Sequence, residues 1–383
     1  MLRQKGQSMH SLFGATIDFK DDFFQEQLIT YLGNKRSLLP FLNRGIETVK
    51  RKLNKDKLKA MDGFAGSGVV SRLLKFQCRE LVVNDLETYS CLVNKCFLSN
   101  PKDVDIEYIK QTINKFNEIK DADLFAGFIT KNYAPNDDDN IKPNERVFYT
   151  NRNARFLDTI KRKIYTEIPE DMQHFFLAPL IVQASIHTNT SGVFKGFHKK
   201  DGVGHFGGKG ENALTRIKSD IKLDMPVLRN TDCKITIFQQ DINELVKRDD
   251  VFDLVYYDPP YNQHPYGSNY FMLNILADKS ENISIQNGVS GIAENWNRSA
   301  YNKKAQAITA MDDLIKNTKA KYILISYNNE GIIPFDEFLN ILNKYGETTL
   351  LEQDYNTYRG SRNLNARNIK VKELLWILKK KDQ

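Results

Sequence analysis

The sequence predicts an α/β protein built on a mostly parallel sheet. Short apolar runs recur along it, and each stops at a small or polar residue, as strands buried on both faces do. Stretches of helical spacing lie between several of these runs. With 383 residues, 41% hydrophobic and 27% charged, the chain can bury one large core and carry a smaller second module.

In chain order, a helical stretch Leu38–Val49 precedes the first strand, Leu58–Met61. The helix Val70–Phe76, the strand Leu81–Val83 and the helix Leu92–Phe97 follow. Residues from about 105 to 230 exceed any single crossover and read as an insertion. It is helical over Ile106–Phe128 and loop-like afterwards. Strands resume at Ile235–Phe238 and Phe252–Tyr257. A second irregular stretch, Gln263–Asn302, is rich in Asn, Ser and Tyr. The helix Ile308–Ile315, the strand Tyr322–Ile325 and the final run Leu374–Leu378 complete the pattern. The expected division is a core domain of 27–105 plus 232–383, an inserted module of 106–231 and an N-terminal extension of 1–26.

Composition narrows the function classes. The longest apolar run, Phe175–Ile186, is broken by Pro179 and Gln183 and falls short of the ~20 residues a membrane helix needs, so no membrane partner is expected. Met1–Glu26 mixes charges with short apolar pieces and lacks a signal-peptide shape. The 55 Lys and Arg against 48 Asp and Glu leave a formal charge of +7, which permits a polyanionic partner. Cys78, Cys91, Cys96 and Cys233 form no Cys-x-x-Cys pair and there is no His-Glu-x-x-His. Reduced thiols in a cytoplasmic protein without a metal are expected.

Four segments carry chemistry. Asp62-Gly63-Phe64-Ala65-Gly66-Ser67-Gly68 follows an apolar strand and opens a helix. Its glycines allow a tight turn or a close approach to a ligand. No Lys-Ser/Thr follows, so it is not a Walker loop, and Ser71 stands where a dinucleotide fingerprint has its third Gly. Asp85 ends the next strand, 17 positions after Gly68. An acid there suits the ribose of an adenosine-containing cofactor, or a helix cap. Asp258-Pro259-Pro260-Tyr261 ends the strand Phe252–Tyr257. Two prolines deny ladder hydrogen bonds and fix a rigid loop that presents a carboxylate and a ring where open α/β sheets bind ligands. Tyr31-Leu32-Gly33-Asn34-Lys35-Arg36 reads as a basic helix start or a site segment. Asp241, just past Ile235–Phe238, reads as a turn residue or a second acidic cofactor contact.

In their order and spacing these segments resemble the Dam-like, alpha-group DNA adenine-N6 methyltransferases, over nearly the whole chain. Tyr358-Arg359-Gly360-Ser361-Arg362 and the late Leu-Leu-Trp-Ile-Leu strand add to the likeness. The resemblance implies a Rossmann-like seven-stranded sheet with an inserted, mostly helical and loop-built module that recognises the DNA target. It implies S-adenosyl-L-methionine as cofactor, bordered by Tyr31, Asn34, Lys35, Phe64, Gly66, Ser67, Gly68, Asp85, Asp241, Ile242 and Asp258. Asp258, Pro259, Pro260 and Tyr261 would hold the target adenine. The length of Gln263–Asn302 departs from the family pattern.

The exocyclic amine of adenine is a poor nucleophile because its lone pair is delocalised. Asp258 and the Pro259 carbonyl can each accept one N–H bond and pin the amine toward a methyl donor, while Tyr261 stacks on the base. A base inside a duplex must be flipped out to reach such a pocket. In the insertion, Lys195, His198, Lys199, Lys200 and Lys209 can neutralise phosphates, and Asn189, Thr190 and Asn212 are of the type that reads base edges. Lys35 is placed with these DNA contacts as well. The expected partner is double-stranded DNA, with a cognate restriction endonuclease sharing the recognition sequence if the chain is the modification component of a restriction-modification system rather than a solitary or phage methylase, and the chain itself is expected to be a monomer. Competing readings are a non-catalytic nucleic-acid-binding subunit, or the same fold acting on cytosine N4 or on RNA. Ser in place of Asp258, or Trp in place of Tyr261, would favour the last two.

Overall fold

A computed structural model describes residues 17–208, 211, 213–280, 282–356 and 370–381. Its strands are β1 Leu58–Asp62, β2 Cys78–Asp85, β3 Lys199–Lys200, β4 Val203–Gly204, β5 Lys234–Gln239, β6 Phe252–Tyr257, β7 Ala320–Asn328, β8 Gly346–Asn356 and β9 Lys370–Lys380. Seven of them form one sheet in the order β5-β2-β1-β6-β7-β9-β8, while β3 and β4 pair as a small hairpin. The first five strands of that order run parallel, and β9 is antiparallel to both β7 and β8. The chain moves from β1 outward to β2 and β5, then returns to the other side of β1 as β6. Such a reversal opens a crevice at the carboxyl ends of the strands. The register, with Asp62 level with Val83 and Tyr256, brings the ends of β1, β2 and β6 to that one edge.

The longer helices are α1 Leu39–Leu53, α2 Val69–Gln77, α3 Thr88–Phe97, α4 Ile106–Asn117, α5 Asn151–Glu167, α6 His174–Ile186, α7 Phe271–Ala277, α8 Lys304–Asn317 and α9 Phe335–Tyr345. In α1, Leu39, Leu42, Ile46 and Val49 recur at helical spacing and are buried, and Asn54 closes the helix in the left-handed conformation. One face of the sheet packs on α1 and α2, the other on α8 and α9. A third core joins α3 of the sheet unit to α4, α5 and α6 of the insertion and to α7.

Differences from the sequence reading have physical causes. The insertion is helical well beyond its first part, because α5 and α6 follow where a loop was expected. α6 is buried all round, so it shows no amphipathic period, and Pro179 inside it reads as a break. The expected helix Ile106–Phe128 ends at Asn117. β8 is an edge strand whose residues 346–354 are half-buried or exposed, so it has no apolar run to announce it.

Candidate active site

The carboxyl ends of β1, β2 and β6 open onto a cleft of about 930 Å³, counted out to its mouth. Its walls bring together Tyr31, Asn34, Lys35, Phe64, Gly66, Ser67, Asp85, Asp241, Ile242, Asp258 and Pro260. Gly68, Pro259 and Tyr261 are not among the lining residues but adjoin them in the chain. Gly68 adopts φ +78° at the start of α2, where a Cβ would come within 2.5 Å of Asn94 Oδ1.

Hydrogen bonds tie the Gly-rich loop to the end of β2. The Gly66 N–H donates to Asp85 Oδ2 at 2.7 Å, the Ala65 N–H to Asn84 O at 3.0 Å, and Ser90 Oγ to Gly66 O at 2.7 Å. Asp85 Oδ1 accepts the Glu87 N–H at 2.8 Å, so this carboxylate braces the loop and the entry to α3 while lining the cleft. Burial raises its pKa against those donors. Asp241 likewise serves locally, accepting the Asn243 N–H at 2.8 Å as the cap of the short helix Ile242–Leu245. Asp62, at the end of β1, is fully buried. Its Oδ2 accepts Ser71 Oγ–H at 2.6 Å, and its Oδ1 has no partner among the described residues. Burial pushes this carboxyl up to about 7.

At the end of β6, Asp258 Oδ1 lies 2.9 Å from Lys35 Nζ. The same ammonium lies 3.3 Å from Glu373 Oε1, on β9. Burial alone would lower the pKa of Lys35, but Asp258 and Glu373 together outweigh it and hold the ammonium well above its ordinary range. Asp258 itself is raised by burial, with Lys35 pulling the other way. The Tyr261 ring centroid lies 5.8 Å from Lys35 Nζ, a cation–π approach. Gly33, at φ +77°, makes room for that ring, since a Cβ would sit 3.1 Å from Tyr261 Oη. The Ile332 N–H donates to Tyr261 O at 2.9 Å and fastens the loop behind.

The stretch after this loop supplies residues that the sequence reading did not single out. Tyr266, Gly267, Asn297, Ser299, Tyr301 and Asn302 all line the cleft. Tyr31 stacks on both Tyr266 and Tyr270, at 4.8 and 4.7 Å between centroids, and those two rings lie 5.9 Å apart, so the three form one near-parallel cluster. The Leu32 N–H donates to Tyr270 Oη at 2.8 Å and Tyr266 Oη donates to Leu32 O at 3.1 Å, so the Tyr31–Lys35 segment is clamped from above. Glu87, also missed, lines the cleft and accepts from Asn274 Nδ2 at 2.5 Å and Asn297 Nδ2 at 3.1 Å. Burial raises it to about 7. The available signal was the density of Asn and Tyr in 263–302, residue types that bond a loop to itself and to its surroundings.

The two irregular stretches meet. Ser290 Oγ donates to Lys195 O, and the Phe194 N–H donates to Asn269 O at 2.8 Å. Lys195, Lys199 and Lys200 are exposed, the last two on β3, while His198 is half-buried, with its pKa lowered by burial. Asn189 and Thr190 depart from the expectation of base-reading residues, because both are buried. Asn189 Nδ2 donates to Val147 O at 2.8 Å and His205 O at 2.9 Å, and its Oδ1 accepts the Gly207 N–H at 3.0 Å. Its amide thus holds the hairpin in place and has no free edge to offer a base. Lys209, Asn212 and the segment Tyr358–Arg362 lie outside the described residues.

Residues 31–341 match the family model for D12 class N6 adenine-specific DNA methyltransferases. The chain is 27% identical over 360 residues to type II methyltransferase M.NlaIII of Neisseria lactamica, covering 92% of this chain and 99% of that protein. It is also 27% identical over 356 residues to type II methyltransferase M.CviAII of Paramecium bursaria Chlorella virus 1, covering 91% and 98%. Modification methylase StsI of Streptococcus sanguinis matches at 27% over 363 residues, with 92% of this chain spanning 52% of that protein. A glycine loop, a proline-fixed acid and a lysine meeting in one cleft agree with what these matches say: the chain belongs to the D12 class of N6 adenine-specific DNA methyltransferases.

Proposed function

We propose that this adenine-N6 DNA methyltransferase uses S-adenosyl-L-methionine and acts on an adenine flipped out of double-stranded DNA. The observation that carries the reading is the state of Asp258. Its Oδ1 is paired with Lys35, its Oδ2 has no partner among the described residues, and the side chain keeps 20% of its surface open in the cleft. A carboxyl oxygen that takes no protein donor is an acceptor open to a substrate.

The cleft fits the cofactor. Asp85 and Glu87 offer carboxylates for ribose hydroxyls, Ile242 and Phe64 offer apolar walls for an adenine ring, and Asp62 Oδ1 is a buried acceptor left over beneath the glycine loop. S-Adenosyl-L-methionine, when bound, supplies an electrophilic methyl group on a sulfonium centre. Asp258 Oδ2 and the Pro259 carbonyl accept the two N–H bonds of the adenine amine, which orients its lone pair toward that methyl group. Tyr261 stacks on the flipped base. Stacking is worth about 1–3 kcal/mol per base, comparable to the few kcal/mol that unstacking costs.

The exposed Lys195, Lys199 and Lys200 support a phosphate contact by the insertion, residues 106–231, as the target-recognition module, with 27–105 plus 232–383 as the catalytic part. Relatives named as type II methyltransferases support a cognate restriction endonuclease as partner. The four free thiols suit a reducing cytoplasm, and no described helix is long and apolar enough to cross a membrane.

The test is methyl transfer from labelled S-adenosyl-L-methionine to unmethylated genomic DNA, with single-molecule sequencing of the product. Label is expected as N6-methyladenine in one short motif. Transfer to cytosine, or none in a preparation that binds the cofactor, overturns the reading.

A further inference from the structure

Glu373 stands on β9, beyond the residues matched by the family model, and no part of the reading above uses it. It is buried, with 5% of its surface exposed. Along β9 it shares a face with Leu375 and Ile377, which pack in the core under α1. An acid in that row of apolar residues is costly unless it has a partner, and a fold selected for stability alone is better served by another leucine. Lys35 Nζ stands 3.3 Å from Glu373 Oε1 as an ion pair, though that oxygen accepts no aligned hydrogen bond among the described residues, and the Ser326 hydroxyl, which accepts from Tyr256 Oη at 3.0 Å, acts on the same carboxyl. Tyr256 belongs to the cleft wall.

We propose that Glu373 is a positioning residue of the catalytic centre, sharing Lys35 with Asp258 so that the lysine orients the catalytic acid without neutralising the site. This rests on the reading of Asp258 as the group that grips the acceptor amine. An ammonium has three donors. With Asp258 as its sole partner, Lys35 would form a neutral pair and draw on both oxygens of the acid. A second carboxylate on the far side divides that pull, and Asp258 Oδ2 stays open to the cleft. Burial raises the pKa of both acids, Asp258 raises that of Glu373 further, and Lys35 pulls both back; with both ionised, the two carboxylates and one ammonium carry one net negative charge. During transfer, positive charge moves from the methyl donor to the amine, and therefore toward Asp258. A fixed negative charge there favours the transition state over the ground state and requires no reorganisation.

The test compares wild type with Glu373→Gln and Glu373→Asp in the full chain. Glu373→Gln is expected to lower kcat by about 10- to 100-fold, at or below the loss for a group that touches the reacting atoms, with KM for DNA and cofactor nearly unchanged. Glu373→Asp is expected to recover part of the rate. The groups facing Lys35 are Asp258, Tyr256, Tyr261 and Glu373, and Asp62 and Tyr266 face Asp258. Removing one of the two carboxylates that oppose burial lowers the Lys35 pKa, so the alkaline limb of the kcat profile moves to lower pH. A readout that needs no acceptor is the ratio of affinities for S-adenosyl-L-methionine, a cation, and S-adenosyl-L-homocysteine, its neutral product. Glu373→Gln is expected to reduce the preference for the cation. If Glu373→Gln does not fold, Glu373→Leu, which removes the charge in a row of apolar residues, carries the same two comparisons. A kcat within twofold of wild type with an unshifted alkaline limb overturns the proposal, as does Glu373→Leu restoring the rate as well as Glu373→Asp. A wild-type chain that never methylates adenine overturns the reading of Asp258, while the affinity ratio still decides whether Glu373 charges the site.

Discussion

Asp62, fully buried, and Asp258, half-buried, stand at the ends of neighbouring strands, and their surroundings give them different work. Asp258 has a lysine beside it and an open oxygen. Replacing it with Ala is expected to lower methyl transfer by about 10²–10³-fold or more with cofactor affinity largely kept, as read by paired turnover and binding assays; wild-type-like turnover contradicts the grip on the amine. Asp62 accepts from Ser71 and has no ion pair among the described residues. Its carboxyl is raised from 3.8 to about 7 on folding, so the folded chain holds a proton there that the unfolded chain releases. The stability that proton confers is complete below about pH 4 and declines as the pH rises toward 7. Between pH 5 and 7 the ligand-free wild type should therefore lose on the order of 2 kcal/mol relative to Asp62→Asn, measured by denaturant unfolding. Parallel pH slopes for the two proteins contradict it. Asp258, Lys35 and Asp85 were legible in the sequence because prolines, glycines and strand ends flag them. Glu373 was not, because nothing in Val371-Lys372-Glu373-Leu374 tells which neighbour β9 will meet.

At the scale of elements, the hairpin of β3 and β4 is a platform whose charge and whose anchoring are separable. Lys199 and Lys200 supply charge, and Asn189 fixes the platform from beneath. Lys199→Ala with Lys200→Ala should flatten the salt dependence of DNA binding by about 0.9 in log–log slope for each phosphate no longer neutralised. An unchanged slope removes the hairpin from the interface. Asn189→Ala should instead cost about 1–3 kcal/mol of stability and weaken DNA binding with the slope intact. The strands were legible as apolar runs and α1 as an amphipathic stripe. α6 was not, because a helix with no polar face has no period to detect, and its burial depends on partners 50 or more residues away, Ile113 and Tyr108 of α4 among them.

At the scale of the molecule, the insertion and the sheet share a core through α3 and α7. Phe271 touches Tyr133, Phe148 and Phe194 at centroid distances of 5.7, 6.3 and 6.3 Å, which places one aromatic cluster across chain segments far apart in sequence. Phe271→Ala should cost about 3–5 kcal/mol and lower the unfolding midpoint of insertion and sheet together; a variant in which only one part melts early contradicts a common core. This arrangement was beyond sequence reasoning, which marked the later part of the insertion and 263–302 as irregular without any sign that they bond to each other. The Tyr31 stack has a thermodynamic consequence of its own. The N–H and C=O of one residue, Leu32, are held by two tyrosines from the stretch that also bonds the loop proposed to meet DNA, and the segment it belongs to walls the cleft proposed for the cofactor. Ligands that settle on either side of one shared clamp cannot bind independently. Linkage then requires reciprocity: whatever factor a target duplex adds to cofactor affinity, the cofactor must return to duplex affinity, and Tyr270→Phe should move both factors toward unity by the same amount.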